Sequence, residues 1–245
     1  MTSTETILLL SACIAVVAFL YSSVGHAGAS GYIAVMTLFG VSMAQIKPAA
    51  LTLNILVATI TAWHFWRAGH FSWRLFAPFA LLAIPMAFLG GYLNLPMAAL
   101  KILVGIVLLG SALRFMYDPH EVENTRQPRS WIAVLCGGLI GLLSGFTGTG
   151  GGIFLSPLML LAKWAKTKSA AAVSAVFILV NSVSGLAGNI TATKHLPQTV
   201  WFFLAAALVG GVAGSYLGSR RFSAGWIKKL LAIVLTIAGL KLILT

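Results

Sequence analysis

Apolar residues run in blocks along the chain, at about 6–24, 31–45, 49–66, 75–94, 97–116, 131–147, 152–162, 169–191, 198–218 and 226–244. Most reach the ~17–25 residues that a helix needs to cross a hydrocarbon layer. The pattern therefore predicts an all-α, polytopic membrane protein. The blocks at 31–45 and 152–162 are short. Each is expected to be a tilted span or the second arm of a re-entrant hairpin. Between the fifth and sixth blocks lies a polar segment with Asp118, Glu121, Glu123, Arg126 and Arg129, punctuated by Pro119 and Pro128. It divides the chain into a first membrane repeat (1–117), a cytoplasmic linker (118–130) and a second membrane repeat (131–245).

The halves resemble each other. Lys47-Pro48-Ala49-Ala50 matches Lys168-Ser169-Ala170-Ala171, and Ile55-Leu56-Val57 matches Ile178-Leu179-Val180. Gly91-Tyr92-Leu93 matches Ser215-Tyr216-Leu217, and Lys101-Ile102-Leu103 matches Lys229-Leu230-Leu231. Single matches mean little in an apolar chain. The shared order of glycine break, short run, basic residue and three longer runs indicates a duplication.

Charge then decides the orientation of the repeats. With five segments per half, the topologies are inverted and both termini are periplasmic. Arg67, Arg74, Arg114, Arg126, Arg129, Lys163, Lys166, Lys168, Arg220, Arg221, Lys228 and Lys229 then fall inside. Lys47, Lys101, Lys194 and Lys241 fall outside or toward it, a split of 12 to 4 that follows the positive-inside rule. Four crossings per half would give parallel repeats and erase the bias.

Composition agrees. Of 245 residues, 59% are hydrophobic and 8% charged, with mean hydropathy +0.98, against about a quarter charged in a soluble domain. The net charge of +12 is explained by membrane topology, so no nucleic-acid partner is implied. Cys13 and Cys136 lie inside apolar blocks and read as small core residues, and no metal-ligand spacing or cofactor motif is present. The N-terminal Met1–Thr6 lacks a basic region, so no cleaved signal peptide is expected.

The densest chemistry lies at Gly145-Phe146-Thr147-Gly148-Thr149-Gly150-Gly151-Gly152. Such a run ends one helix and starts another, and in lipid it is tolerated only where protein or a wet cavity surrounds it. A helix starting at Gly150–Gly152 offers bare N–H groups and a positive dipole end, which suit an anion. Thr147 and Thr149 add hydroxyls. The competing explanation is close helix packing, common for small residues in membranes. A weaker copy, Ser22-Ser23-Val24-Gly25-His26-Ala27-Gly28-Ala29-Ser30-Gly31, lies in the first half. Paired breaks of this kind mark the binding site of many repeat-built transporters.

The second break, continued by Ile153 and Ser156-Pro157-Leu158, resembles the TauE/SafE family of sulfite exporters, as do the duplication and the length. The resemblance implies movement of small sulfur-containing anions (sulfite, sulfoacetate or related sulfonates) across the bacterial inner membrane, with export as the expected direction. The first break departs from the family's glycine-rich form at His26, Ala27, Ala29 and Ser30.

The candidate substrate-binding residues are thus Gly25, His26, Gly28, Thr147, Gly148, Thr149, Gly150, Gly151 and Gly152, with Asn54 and Asn181 from matched blocks. His26 adds a titratable group that could couple flux to protons or hold an anion when charged; it could equally cap a helix end. The two asparagines either line the pathway or bond between helices. Lys47 and Lys168 either draw anions to the mouths or snorkel. Trp63, Phe65, Trp66, Phe71 and Trp73, around Arg67 and Arg74, mark an interface, while His64, His70 and His195 are expected in wet positions near span ends. No acid lies deep in a block, which argues against a cation pathway. The rival functions are a passive anion channel, an intramembrane hydrolase pairing His26 with Ser144 or Ser184, and a scaffold factor. The oligomeric state is left open, a homodimer being one arrangement available to it.

Overall fold

A computed structural model describes residues 4–93, 98–117, 124–188 and 199–244. The described residues form the helices α1 (Thr4–Ser23), α2 (Ala29–Leu38), α3 (Met43–Arg67), α4 (Trp73–Tyr92) and α5 (Ala98–Tyr117). The second half supplies α6 (Ser130–Thr147), α7 (Gly152–Leu161), α8 (Thr167–Gly188), α9 (Val200–Tyr216) and α10 (Ala224–Leu244). A π-helical turn, Leu217–Arg221, extends α9. Thr4–Ser23, Pro48–Arg67, Trp73–Tyr92, Ser130–Thr147, Thr167–Gly188 and Val200–Arg221 are long and apolar enough to cross a bilayer. The chain is a multi-pass membrane protein. At 10 residues each, α2 and α7 reach only about 15 Å, half the hydrocarbon thickness.

Packing depends on small residues, as expected where lipid removes the hydrophobic drive between helices. On α6, Gly137, Gly141 and Gly145 lie against the backbone carbonyls of Phe79, Ala83 and Ala87 on α4. On α9 and its π-turn, Gly210, Gly214 and Gly218 lie against those of Ala15, Phe19 and Ser23 on α1. A Cβ at any of these six positions would collide with main chain. Rising residue numbers meet rising residue numbers in both ladders, so each pair runs parallel. The sequence spacing Gly-x-x-x-Gly-x-x-x-Gly carries this signal twice, and reading only the breaks passes over it.

The helix contacts recur under exchange of the halves. The pairs α4–α6 and α1–α9, α4–α8 and α3–α9, and α2–α3 and α7–α8 map onto one another when every helix is shifted five places. The equivalent helices α5 and α10 pack on each other in antiparallel fashion: Gly105 meets Ile243 and Gly239, and Gly239 meets Leu109 and Gly105.

Some sequence expectations change. The block 31–45 is divided, because α2 stops at Leu38 and Gly40 turns with φ +70° before α3 begins at Met43. Lys47 therefore sits inside the start of α3 rather than ahead of it. His64 and His70 lie near span ends as expected and are half-exposed, with protein partners as well: His64 Nδ1 is 2.7 Å from Ser215 Oγ, and His70 Nε2 is 3.1 Å from Ser219 O. Of the linker, residues 124–129 are described, and Arg126 N donates to Lys163 O at 2.9 Å. Asp118, Glu121, Glu123, Lys194 and His195 lie outside the described residues. Cys13 and Cys136 are free and partly buried.

Candidate functional site

The second break is made by three left-handed glycines, Gly148 (φ +69°), Gly150 (φ +78°) and Gly151 (φ +81°). An L side chain there would pay ~1–2 kcal/mol per position, so the geometry demands glycine. Gly148 N donates to Ser144 O and closes α6. Phe154 N and Leu155 N both donate to Gly151 O and open α7. The N–H groups of Gly152 and Ile153 precede those first bonds, where a helix leaves its donors without an intrahelical partner. Thr147 Oγ1 bonds Leu143 O at 2.8 Å and Thr149 Oγ1 at 2.8 Å.

The first break likewise closes α1 with backbone bonds, from Val24 N and His26 N to Tyr21 O and from Gly25 N to Ser22 O, and then adds side chains. Gly25 (φ +83°) packs on the backbone of Ala171 in α8, and Gly28 (φ +105°) on the Tyr32 ring. Ala29 N, the first donor of α2, bonds Asn54 Oδ1 at 3.1 Å. Tyr32 OH donates to Ala27 O at 2.6 Å, and Tyr21 OH lies 2.9 Å from Ser30 Oγ.

The two breaks meet. Asn54, fully buried on α3, bonds Ala29 N with its oxygen and donates through Nδ2 to Ser182 Oγ (3.0 Å) and Thr149 O (3.4 Å). Gly150 faces Asn54, Ser182 and Ile178, and Gly152 faces Ile178 and the His26 ring. His26 Nε2 lies 2.8 Å from Ser156 Oγ, whose hydroxyl donates to Ser174 Oγ at 2.7 Å. Because that hydroxyl proton is committed, Ser156 accepts from His26 Nε2–H. His26 Nδ1 is then an acceptor, buried and without a hydrogen-bond partner.

Asn181 behaves unlike Asn54. It is 1% exposed, yet neither its Oδ1 nor its Nδ2 has a partner. It lies one turn from Phe177, which abuts Gly151, and one turn from Gly185, which sits beside Gly145 and Ala87. That bracket places it on the α8 stripe facing the end of α6. Ser144 Oγ, against Gly151, is also buried without a partner. Buried polar groups are nearly always satisfied, so these three side chains have capacity to spare for a solute.

From the candidate list, the structure brings His26, Asn54, Thr149, Gly150 and Gly152 into one place. Gly25, Gly28, Thr147, Gly148 and Gly151 shape the breaks without meeting the opposite one in the contacts above. Ser156 and Ser174 were missed as site residues: each is a serine in an apolar helix, and only the spatial partner reveals it. The neighbouring hydroxyls of Thr52 and Thr59 turn back to carbonyls of their own helix. His26 is paired with Ser156 rather than with Ser144 or Ser184, and Ser184 Oγ donates to Ile84 O.

A family model described as sulfite exporter TauE/SafE matches residues 10–242. A probable membrane transporter protein of Sinorhizobium fredii is 39% identical over 233 residues, covering 93% of this chain and 94% of its own. A probable membrane transporter protein of Methanocaldococcus jannaschii is 30% identical over 129 residues, covering 51% and 48%. A third, from Xylella fastidiosa, is 30% identical over 175 residues, covering 66% and 64%. No solved structure matches the chain.

Proposed function

Because this chain belongs to the sulfite exporter TauE/SafE family, we propose that it is a secondary transporter exporting small sulfur-containing anions, such as sulfite, sulfoacetate or related organosulfonates, across the bacterial inner membrane. The anion is held at the second break, by the Gly152 and Ile153 amides, the Thr147–Thr149 hydroxyl pair, Ser144 and Asn181. An oxyanion suits this donor set, since each of its oxygens accepts several hydrogen bonds and the α7 dipole adds positive potential. Asn54 and His26 tie the site to the opposite break.

Alternating access follows from the duplication. The units are a first repeat over 1–117 and a second over 131–245, joined by a cytoplasmic linker and inverted relative to each other. Two observations support inversion: equivalent contacts recur when the halves are exchanged, and the equivalent helices α5 and α10 run antiparallel. Parallel repeats would leave α5 and α10 pointing the same way. With inversion, both termini are periplasmic and the basic residues gather inside. The breaks are buried and closely packed here, as an occluded state between two openings requires. His26 Nδ1, buried with its acceptor position open, is the group we assign to proton coupling.

The observation that carries the reading is the set of left-handed glycines that opens α7 beside the opposite break. Proteoliposomes loaded with sulfite test it: the wild type should show saturable efflux, and Gly151→Val should abolish it while still inserting and purifying as a folded protein. Full efflux from a folded Gly151→Val variant would remove the site, and unsaturable flux indifferent to a proton gradient would make the protein a channel instead.

A further inference from the structure

A second charged constellation lies away from the breaks, where α3 and α9 end side by side. Val57 packs on Gly211, and further along both helices His64 Nδ1 meets Ser215 Oγ, so the two C-terminal ends share one side of the membrane. There, Arg67 stacks on the Trp63 ring at 5.6 Å, and Arg220 stacks on the Tyr216 ring at 5.5 Å. The His64 and Tyr216 rings meet edge-on at 6.1 Å between the two helix ends that carry these pairs. Arg67 is one turn beyond His64 on α3, and Arg220 is one turn beyond Tyr216 on the π-turn that extends α9, so both cations leave the helix ends that this ring contact joins. Arg67, Arg220, Trp63 and Tyr216 are all exposed.

Two like charges carried on adjoining helix ends repel each other, and no acid among the described residues lies beside them. Glu5 is the one acid among the described residues, at the opposite end of α1 from Ser23, which packs on Gly218 of the π-turn. An anion supplied from outside would relieve the repulsion. Guanidinium forks favour phosphate oxygens, and their aromatic stacking fixes them in place beforehand.

The surroundings identify the source of that phosphate. Below Arg220, α9 presents Tyr216, Val212 and Val209 at helical spacing, exposed by 41%, 42% and 69%. Trp63, one turn before Arg67 on the adjoining α3 end, is 59% exposed. Exposed Trp and Tyr at this position sit at headgroup depth, and the valines continue toward the hydrocarbon. A free anion has no use for such a stripe; an acyl chain does. We propose that Arg67 and Arg220 form a binding site for the phosphate of an anionic phospholipid, whose acyl chain lies along the Tyr216–Val212–Val209 face of α9.

Purified protein in neutral-lipid micelles, titrated with phosphatidylglycerol, phosphatidylcholine or inorganic phosphate, tests this by native mass spectrometry and thermal unfolding. Phosphatidylglycerol should bind and raise the unfolding temperature of the wild type, while phosphatidylcholine and inorganic phosphate should not. Each single variant, Arg67→Gln or Arg220→Gln, should weaken binding about five-fold, the contribution of one basic side chain at an anionic surface. The exposed Arg114→Gln should leave binding unchanged. Equal binding of both lipids, retention of the phosphatidylglycerol shift in the variants, or an equal shift with inorganic phosphate would overturn the proposal, the last by making this a soluble-anion site. Should Arg67→Gln and Arg220→Gln fail to fold, Arg67→Lys and Arg220→Lys keep the charge but lose the fork, and undiminished binding in these would also sink it.

Discussion

The two helix breaks occupy equivalent places in the order of helices and share a backbone frame, but they differ in what side chains add to it. At the first, 24–28, backbone bonds from Val24, Gly25 and His26 close α1, and side chains are added: Asn54 on the Ala29 amide, Tyr32 on the Ala27 carbonyl, Tyr21 beside Ser30, and His26 on Ser156. The second, at 148–152, is closed by backbone, through Gly148 on Ser144 and a glycine N-cap with no side-chain bond. A helix end whose donors are engaged is scaffold; one whose donors are left over can bind. On the proposed function, the first break braces and the second binds.

Four experiments would break or sharpen that contrast. The largest effect is expected at Gly25, whose left-handed φ of +83° lies against the Ala171 main chain. Gly25→Ala adds a collision with immovable backbone to the ~1–2 kcal/mol cost of the conformation, and little folded protein should be recovered by size-exclusion chromatography. Gly40→Ala, with φ +70° but open space, should lose only the conformational part. Equal recoveries would deny the first break its bracing role.

Next is Gly151→Ala. Its new Cβ meets the Phe177 ring edge, Ile140 and Ser144, side chains that can shift, so the protein should fold while sulfite efflux falls at least ten-fold. Wild-type efflux would place the anion elsewhere.

The asparagines give the sharpest comparison. Asn54→Ala strands the buried Ala29 amide and Ser182 hydroxyl, each worth ~1–3 kcal/mol when unpaired, and should lower the unfolding temperature by several degrees. Asn181→Ala removes two atoms that have no protein partner; it should leave the unfolding temperature level or higher and raise the half-saturating sulfite concentration. Reversed outcomes would exchange their roles.

The smallest effect is expected for His26→Gln, which retains an N–H donor for Ser156 but removes the titrating nitrogen. Efflux should persist while its dependence on the proton gradient flattens; an unaltered pH profile would free His26 from coupling.

The breaks could be read from residue order because their cause is local: no other residue adopts three left-handed conformations within four positions so cheaply. The glycine ladders were equally local, at Gly137-Gly141-Gly145 and Gly210-Gly214-Gly218, and a search for four-residue spacing finds them. The division of labour between Asn54 and Asn181 was not legible. They are the same residue in matched blocks, and they differ only in which atoms find partners across the fold. His26 presented the same difficulty, since Ser156 lies 130 positions away.

Both glycine ladders belong to the later half of the chain, so during synthesis α1 and α4 enter the bilayer with their docking grooves still unmade. The wait for α4 ends when α6 emerges, but α1 must remain unmatched until Gly210 to Gly218 have left the ribosome. A fragment stopped before α9 would leave its first span without its seam, and quality-control proteases that sample loose helices in the membrane would find it there.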